Sequence, residues 1–113
     1  MARWLYCARE TVSVALRAGS FNYPLHGHDL TVEACICSDV KEHVDLVDVQ
    51  ERLRGVLRPL DYKTLESAGL STMEDIAEKV AGELGACVVR VYTARGTMIE
   101  YWNTGNADDT STG

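Results

Sequence analysis

Apolar and polar positions alternate most clearly over residues 28–37. His28, Leu30, Val32, Ala34 and Ile36 fall on one side, and Asp29, Thr31, Glu33, Cys35 and Cys37 on the other. A period of two held over this run predicts a strand with one buried face. The stretch from about Arg3 to Arg17, rich in Val, Tyr, Leu and Thr, is its expected hairpin partner. A long Ala18–Leu25 connection containing Gly19, Ser20, Asn22 and Pro24 would join the two.

The period then changes. Asp48 and Glu51 read as a D-x-x-E helix start, with Val49, Leu53, Val56 and Leu57 at helical spacing before Pro59 closes the segment. Ser71 and Glu74 form an S-x-x-E capping box. It leads a second helix whose apolar face is Met73, Ile76, Val80 and Leu84, and Gly85 stands at its C-terminal cap. Cys87–Ala94 and Thr97–Trp102 are short β-branched and aromatic runs separated by Arg95-Gly96, the spacing of a tight hairpin. In a simple two-residue hairpin Tyr92 faces Ile99, while Glu100 falls opposite Val91 on the other face.

The expected fold is α+β in the order ββααββ, a four-stranded antiparallel sheet with two helices on one face. One domain spans 1–102, and the small, polar residues of 103–113 are expected to form a disordered tail. There is no internal repeat and no linker.

Composition narrows the functions open to such a domain. The chain has 113 residues, 46% of them hydrophobic and 25% charged, an ordinary globular balance. A net charge of −6 argues against non-specific binding to nucleic acid or to an anionic membrane. No apolar stretch approaches the roughly 20 residues of a membrane span, and the N-terminus lacks the apolar core of a signal peptide. A cytoplasmic protein is expected. Cys7, Cys35, Cys37 and Cys87 include no CxxC pair and read as half-buried thiols in a reducing compartment, with no disulfide framework.

His26-Gly27-His28 carries the most suggestive chemistry. If the strand begins near Pro24, both imidazoles project from one face and could converge on a zinc ion at about 2.0–2.1 Å. A zinc site needs a third protein ligand, and HxH also occurs by chance as polar decoration at a strand edge. His43, in the charged KEHVD stretch, reads as an exposed loop residue.

The ordered landmarks HGH, VDVQERLRGVL, LDYKTLE, STMEDIA and VRVYTARGTMIEYW resemble the 6-pyruvoyl-tetrahydropterin synthase and 6-carboxy-tetrahydropterin synthase family, and the likeness covers nearly all of residues 1–102. It implies the tunnelling fold and a zinc-dependent lyase acting on a pterin such as 7,8-dihydroneopterin triphosphate. It also implies three zinc histidines, a cysteine base, an Asp-His pair and a glutamate anchoring the pterin ring. Zinc would stabilise developing enolate charge while a tuned base moves protons.

Carried over residue by residue, His26 and His28 match the paired zinc ligands. Leu16 occupies the slot of the first zinc histidine and cannot bind metal, and Glu10 or Cys7 could replace it only if the strand slips. Asn22 stands where the catalytic cysteine belongs. Asp61 keeps the aspartate of the Asp-His pair, but Tyr62 replaces the histidine. The phenol could donate a hydrogen bond or a proton with Asp61 orienting it, or could simply pack beneath the helix connection. Thr72 and Glu74 match the Thr-x-Glu before the second helix. Tyr92, preceding Thr93, replaces the ring-anchoring glutamate.

Two functions follow. One is a divergent enzyme with zinc held by His26, His28 and a third ligand not identified in the sequence. The other is a non-catalytic oligomeric protein that binds a pterin- or purine-like ligand or assembles. A paralogue lending the missing groups is a weaker third idea. Either way a homo-oligomer is expected, because an open sheet leaves two unpaired edges, and the resemblance implies trimer rings or a hexamer.

Overall fold

The computed structural model describes residues 3–16 and 26–103. Its frame is a pair of thirteen-residue strands, β1 (Trp4–Leu16) and β2 (His26–Ser38), paired antiparallel from Trp4↔Ser38 to Leu16↔His26. The chain continues through α1 (Leu46–Leu57), the two-residue β3 (Lys63–Thr64), α2 (Met73–Leu84), β4 (Val88–Thr93) and β5 (Met98–Trp102). Sheet order is β3-β1-β2-β4-β5. The four longer strands are mutually antiparallel, as expected from the sequence. The short β3 is an addition, laid parallel to β1 at Val14 and Ala15.

Both helices cover one face, α1 over β1 and α2 over β2, β4 and β5. The alternation explains why. Val12, Val14, Leu30, Val32 and Ala34 meet Leu53, Leu57, Ile76, Ala77, Val80, Val89 and Val91 in a single core. Among the described residues the opposite face carries no helix, yet Cys35 is fully buried there and Glu33 is only 9% exposed.

Both helix starts differ from the sequence expectation. Asp45, not Asp48, caps α1, its carboxylate accepting from the N–H groups of Val47 and Asp48 at 3.0 and 3.2 Å. Asp48 lies in the first turn, where negative charge meets the positive end of the helix dipole. The α2 box pairs Thr72 with Asp75 rather than Ser71 with Glu74. The shorter carboxylate reaches back to the N–H groups of both Ser71 and Thr72, at 2.8 and 3.1 Å. These bonds hold the Asp75 pKa below the ordinary aspartate value. Gly85 closes α2 at φ +70°, as expected.

The terminal hairpin is also one residue out of the expected register. Tyr92 pairs with Met98, Val91 with Ile99 and Arg90 with Glu100. The loop is Ala94-Arg95-Gly96, three residues rather than two, with Gly96 at φ +92° completing a turn that L side chains rarely adopt. One extra loop residue moves Glu100 onto the face of Tyr92.

The cysteines require a further correction. Cys7 is joined to Cys35 and Cys37 to Cys87, so no described cysteine is free. Register explains the first bond: Cys7 and Cys35 are direct cross-strand partners with Cα atoms 4.1 Å apart. Because disulfides persist mainly in oxidising compartments or in hyperthermophile proteins, the cytoplasmic expectation loses the support it drew from free thiols. Among the described residues no helix is long and apolar enough to cross a membrane.

Candidate functional site

Strand register assembles one end of the sheet. His28 lies opposite Val14 and His26 opposite Leu16, while Val14 is paired on its other side with Lys63. The row Lys63–Val14–His28 thus brings the neighbouring Asp61 and Tyr62 to the same sheet end as the two histidines. Thr93 approaches from the other side, opposite Leu30. Asn22 lies outside the described residues.

Asp61 and Tyr62 do not form the expected dyad. The Asp61 carboxylate accepts from the Ser13 N–H at 2.9 Å, and the Tyr62 N–H donates to the Ser13 carbonyl at 2.6 Å. Together they extend the β3 pairing by clamping β1. Tyr62 is held at φ +59°, and it is not packed beneath the helix connection, being 84% exposed. Such a conformation costs a β-carbon-bearing residue roughly 1–2 kcal/mol, offset here by the backbone bond it permits. The Ser13 hydroxyl in turn donates to Asp29 at 2.6 Å.

The fit to zinc can be tested on the donor set. The positions of β1 directly opposite the two histidines are Val14 and Leu16, which carry no donor atom. Neither proposed substitute is free: Cys7 is in a disulfide, and Glu10 accepts from Arg54 at 3.0 Å. The strand has not slipped, since Glu10 pairs with Val32 in unbroken register. Among the described residues no group of three or more His, Cys, Asp or Glu side chains is placed to hold a metal ion. Among the described residues, strand register places no third donor on β1 directly opposite the histidine pair. His43 is exposed in a loop, as expected.

Tyr92 belongs to a different constellation, on the helix-free face. Arg9, Glu33, Arg90 and Glu100 stand side by side across β1, β2, β4 and β5. Arg9 Nε donates to Glu33 Oε2 at 2.9 Å and Arg90 Nη1 to Glu33 Oε1 at 3.0 Å. Arg90 Nε donates to Glu100 Oε1 at 2.7 Å. The Tyr92 hydroxyl donates to Glu33 Oε1 at 3.0 Å, and the Arg9 guanidinium lies 4.8 Å from its ring centroid. The Trp102 indole N–H donates to Glu100.

Burial alone would push the Glu33 pKa up, but hydrogen bonds from Arg9, Arg90 and Tyr92 outweigh it and hold the carboxyl below its ordinary value. Arg90 and then Trp102 do the same for Glu100. Burial and the bond to Glu33 push the Tyr92 phenol up. The sequence reading missed Arg9, Glu33, Arg90 and Glu100 as a unit. Their signal was an acidic position on the polar side of β2, but without register nothing tied it to two arginines on other strands.

Thr72 and Glu74 divide. The Thr72 hydroxyl is committed to capping α2. Glu74 is exposed one turn before Glu78, and both line an open groove of about 410 Å³ between α2 and β5, with Ala77, Ile99, Glu100 and Tyr101.

An α+β sheet of four antiparallel strands, with two helices on one face and a histidine pair opening the second strand, defines a protein of the tunnelling fold. The chain is similar to the solved structure of Caenorhabditis elegans 6-pyruvoyl tetrahydropterin synthase, with a TM-score of 0.71 over 91% of this chain and 97% of that one. Sequence identity is 17%, so the likeness shows the fold alone. No family model matches the chain, and no curated protein matches it in sequence.

Proposed function

We propose that the chain is a homo-oligomeric tunnelling-fold protein that binds a pterin- or purine-like heterocycle and has lost the zinc-dependent lyase chemistry. One observation carries this reading: the β1 positions directly opposite His26 and His28 are Val14 and Leu16. Two imidazoles without a third protein donor make a weak zinc site. The group expected to replace the histidine of an Asp-His pair, Tyr62, is turned to solvent, with Asp61 committed to the β1 backbone.

Ligand binding fits the groove between α2 and β5. Glu74 and Glu78 offer carboxylates suited to the adjacent N–H donors of an aminopyrimidine edge, and Tyr101 offers a ring for stacking. The test is calorimetric titration with 7,8-dihydroneopterin triphosphate alongside an assay of triphosphate release. Saturable binding without release supports the reading, and Glu74→Gln should then weaken binding by on the order of tenfold. Absence of binding contradicts it.

The zinc-enzyme reading keeps one specific support: the histidine pair shares its sheet end with Asp61 and Tyr62 through the row Lys63–Val14–His28. Release of triphosphate that requires both His26 and His28 would favour it.

A further inference from the structure

Cys7 and Cys35 share one bond but not one environment. Cys35 is fully buried on β2, whereas Cys7, on β1, is half-buried. A thiolate attacking a disulfide must reach one sulfur from the side away from the other, so access decides which atom is attacked. Behind Cys35 stands β4, where its partner Val88 is fully buried. Behind Cys7 no described strand pairs with β1, because β3 reaches only Val14 and Ala15. Cys7 is the open sulfur.

The sulfur that leaves has the complementary environment. Arg90 Nη1 lies 3.6 Å from Cys35 Sγ, and the same nitrogen donates to Glu33 Oε1 at 3.0 Å. Against a disulfide sulfur, a weak acceptor, this contact contributes little. Against a Cys35 thiolate it becomes a charge-assisted bond, roughly twice as strong as a neutral one. A guanidinium beside a thiol lowers its pKa, and a thiol of lower pKa leaves faster. Glu33, two residues before Cys35 on the same face, opposes this, but Arg9 and Arg90 already meet its charge. Glu100 is held further across the sheet by Arg90 Nε.

The second disulfide lacks this arrangement. Among the described residues no arginine or lysine contact reaches the sulfur of Cys37 or Cys87. The Cys87 sulfur lies instead 3.3 Å from the Cys35 carbonyl oxygen, whose partial negative charge disfavours a thiolate there.

We propose that Cys7–Cys35 is an exchange-active disulfide, with Cys7 its site of S-thiolation by a small thiol or dithiol. The incoming thiolate forms an S–S bond to Cys7 Sγ. The Cys7–Cys35 bond breaks, and its electron pair leaves on Cys35 as a thiolate held by Arg90. With a monothiol the products are one mixed disulfide and one free thiolate. With a dithiol, the second thiolate of the reagent attacks its own sulfur in the mixed disulfide and expels the Cys7 thiolate, which takes a proton from solvent. The reagent departs as a disulfide, oxidised by the two electrons the protein gains. Cys37–Cys87 stays closed and keeps β2 tied to the start of β4. Arg90 also holds Glu33 and Glu100, so opening the bond gives one guanidinium a third anion and couples redox state to the charge ladder.

Glutathione tests the proposal on the native, folded chain. Samples are quenched with N-ethylmaleimide over time and mapped by peptide mass spectrometry. The first product should carry glutathione on Cys7 and maleimide on Cys35, with Cys37 and Cys87 still joined. A first adduct of glutathione on Cys35, Cys37 or Cys87, or no adduct at all on the folded chain, overturns it.

Arg90→Met should slow opening of Cys7–Cys35 by on the order of tenfold and leave Cys37–Cys87 unchanged, and Arg90→Lys should recover part of the rate. A purely structural role for Arg90 gives the opposite result, since a weakened fold exposes both disulfides and speeds the opening of each. Equal or faster opening of Cys7–Cys35 in a folded Arg90→Met chain overturns the proposal. If that variant does not fold, the adduct map of the native chain decides alone.

Discussion

Glu33 shows how a single residue can organise a sheet face that none of the described helices covers. It is the most buried carboxylate described, and it accepts from two arginines and a tyrosine on two neighbouring strands. Replacing it with glutamine keeps the shape but leaves Arg9 and Arg90 facing one another without the charge between them. The expected cost of Glu33→Gln is about 2 kcal/mol, below the 3–5 of a fully buried pair because Arg9 is mostly exposed. Urea unfolding at neutral pH measures it, and an unchanged midpoint would show that the ladder contributes nothing.

The same carboxylates set an acid limit. Glu33 and Glu100 have folded pKa values lowered from the ordinary glutamate value. Their contribution is therefore complete above the unfolded pKa of about 4.3 and fades as pH falls through the lower folded values. Native stability should drop steeply below pH ~4, and Glu33→Gln should flatten that drop. A variant that loses stability with acid as steeply as the native chain would contradict this assignment. At Tyr92 the sequence showed the loss of a ring-anchoring glutamate. It did not show where the phenol goes, because its partner Glu33 lies 59 positions away.

At the scale of elements, local signals were legible and pairings between distant segments were not. The 28–37 alternation and the two helical faces required only neighbouring residues, and those elements formed where expected. Caps slipped by one or three residues because several acidic side chains competed for the same amides. The hairpin slipped by one because Gly96 adopts a positive φ inside a three-residue loop. Gly96→Ala should cost roughly 1–2 kcal/mol, read as a lowered Tm, if that loop geometry is required. A neutral result would mean that the turn can relax.

The Cys7–Cys35 pair depends on strand register, and Cys37–Cys87 on bringing together segments 50 positions apart, which explains why thiols were expected. Cys7–Cys35 closes 28 positions of chain, and removing such a link costs about 3–4 kcal/mol in the chain-entropy account. Thermal unfolding with and without a strong thiol reductant should therefore show a drop of many degrees. The Cys7→Ser, Cys35→Ser chain should reproduce part of it. Coincident curves would show that these bonds do not support the fold.

For the whole molecule, the sequence carried the architecture well and the chemistry poorly. Ordered landmarks along the chain pointed to the tunnelling fold, and the similarity to a solved synthase bears the fold out. The candidate site was legible as a list of positions and of departures: Leu16, Asn22, Tyr62 and Tyr92, of which Asn22 lies outside the described residues. What could not be read was which side chains the fold places opposite one another. Register answers that for the histidine pair, where β1 presents Val14 and Leu16.

Zinc titration of chelator-treated, refilled protein, followed by metal content per chain after gel filtration, tests this central claim most directly. The account predicts loose, substoichiometric zinc, little changed by His26→Ala. One tightly held zinc per chain, abolished by His26→Ala or His28→Ala, would contradict it and restore the metal-dependent enzyme.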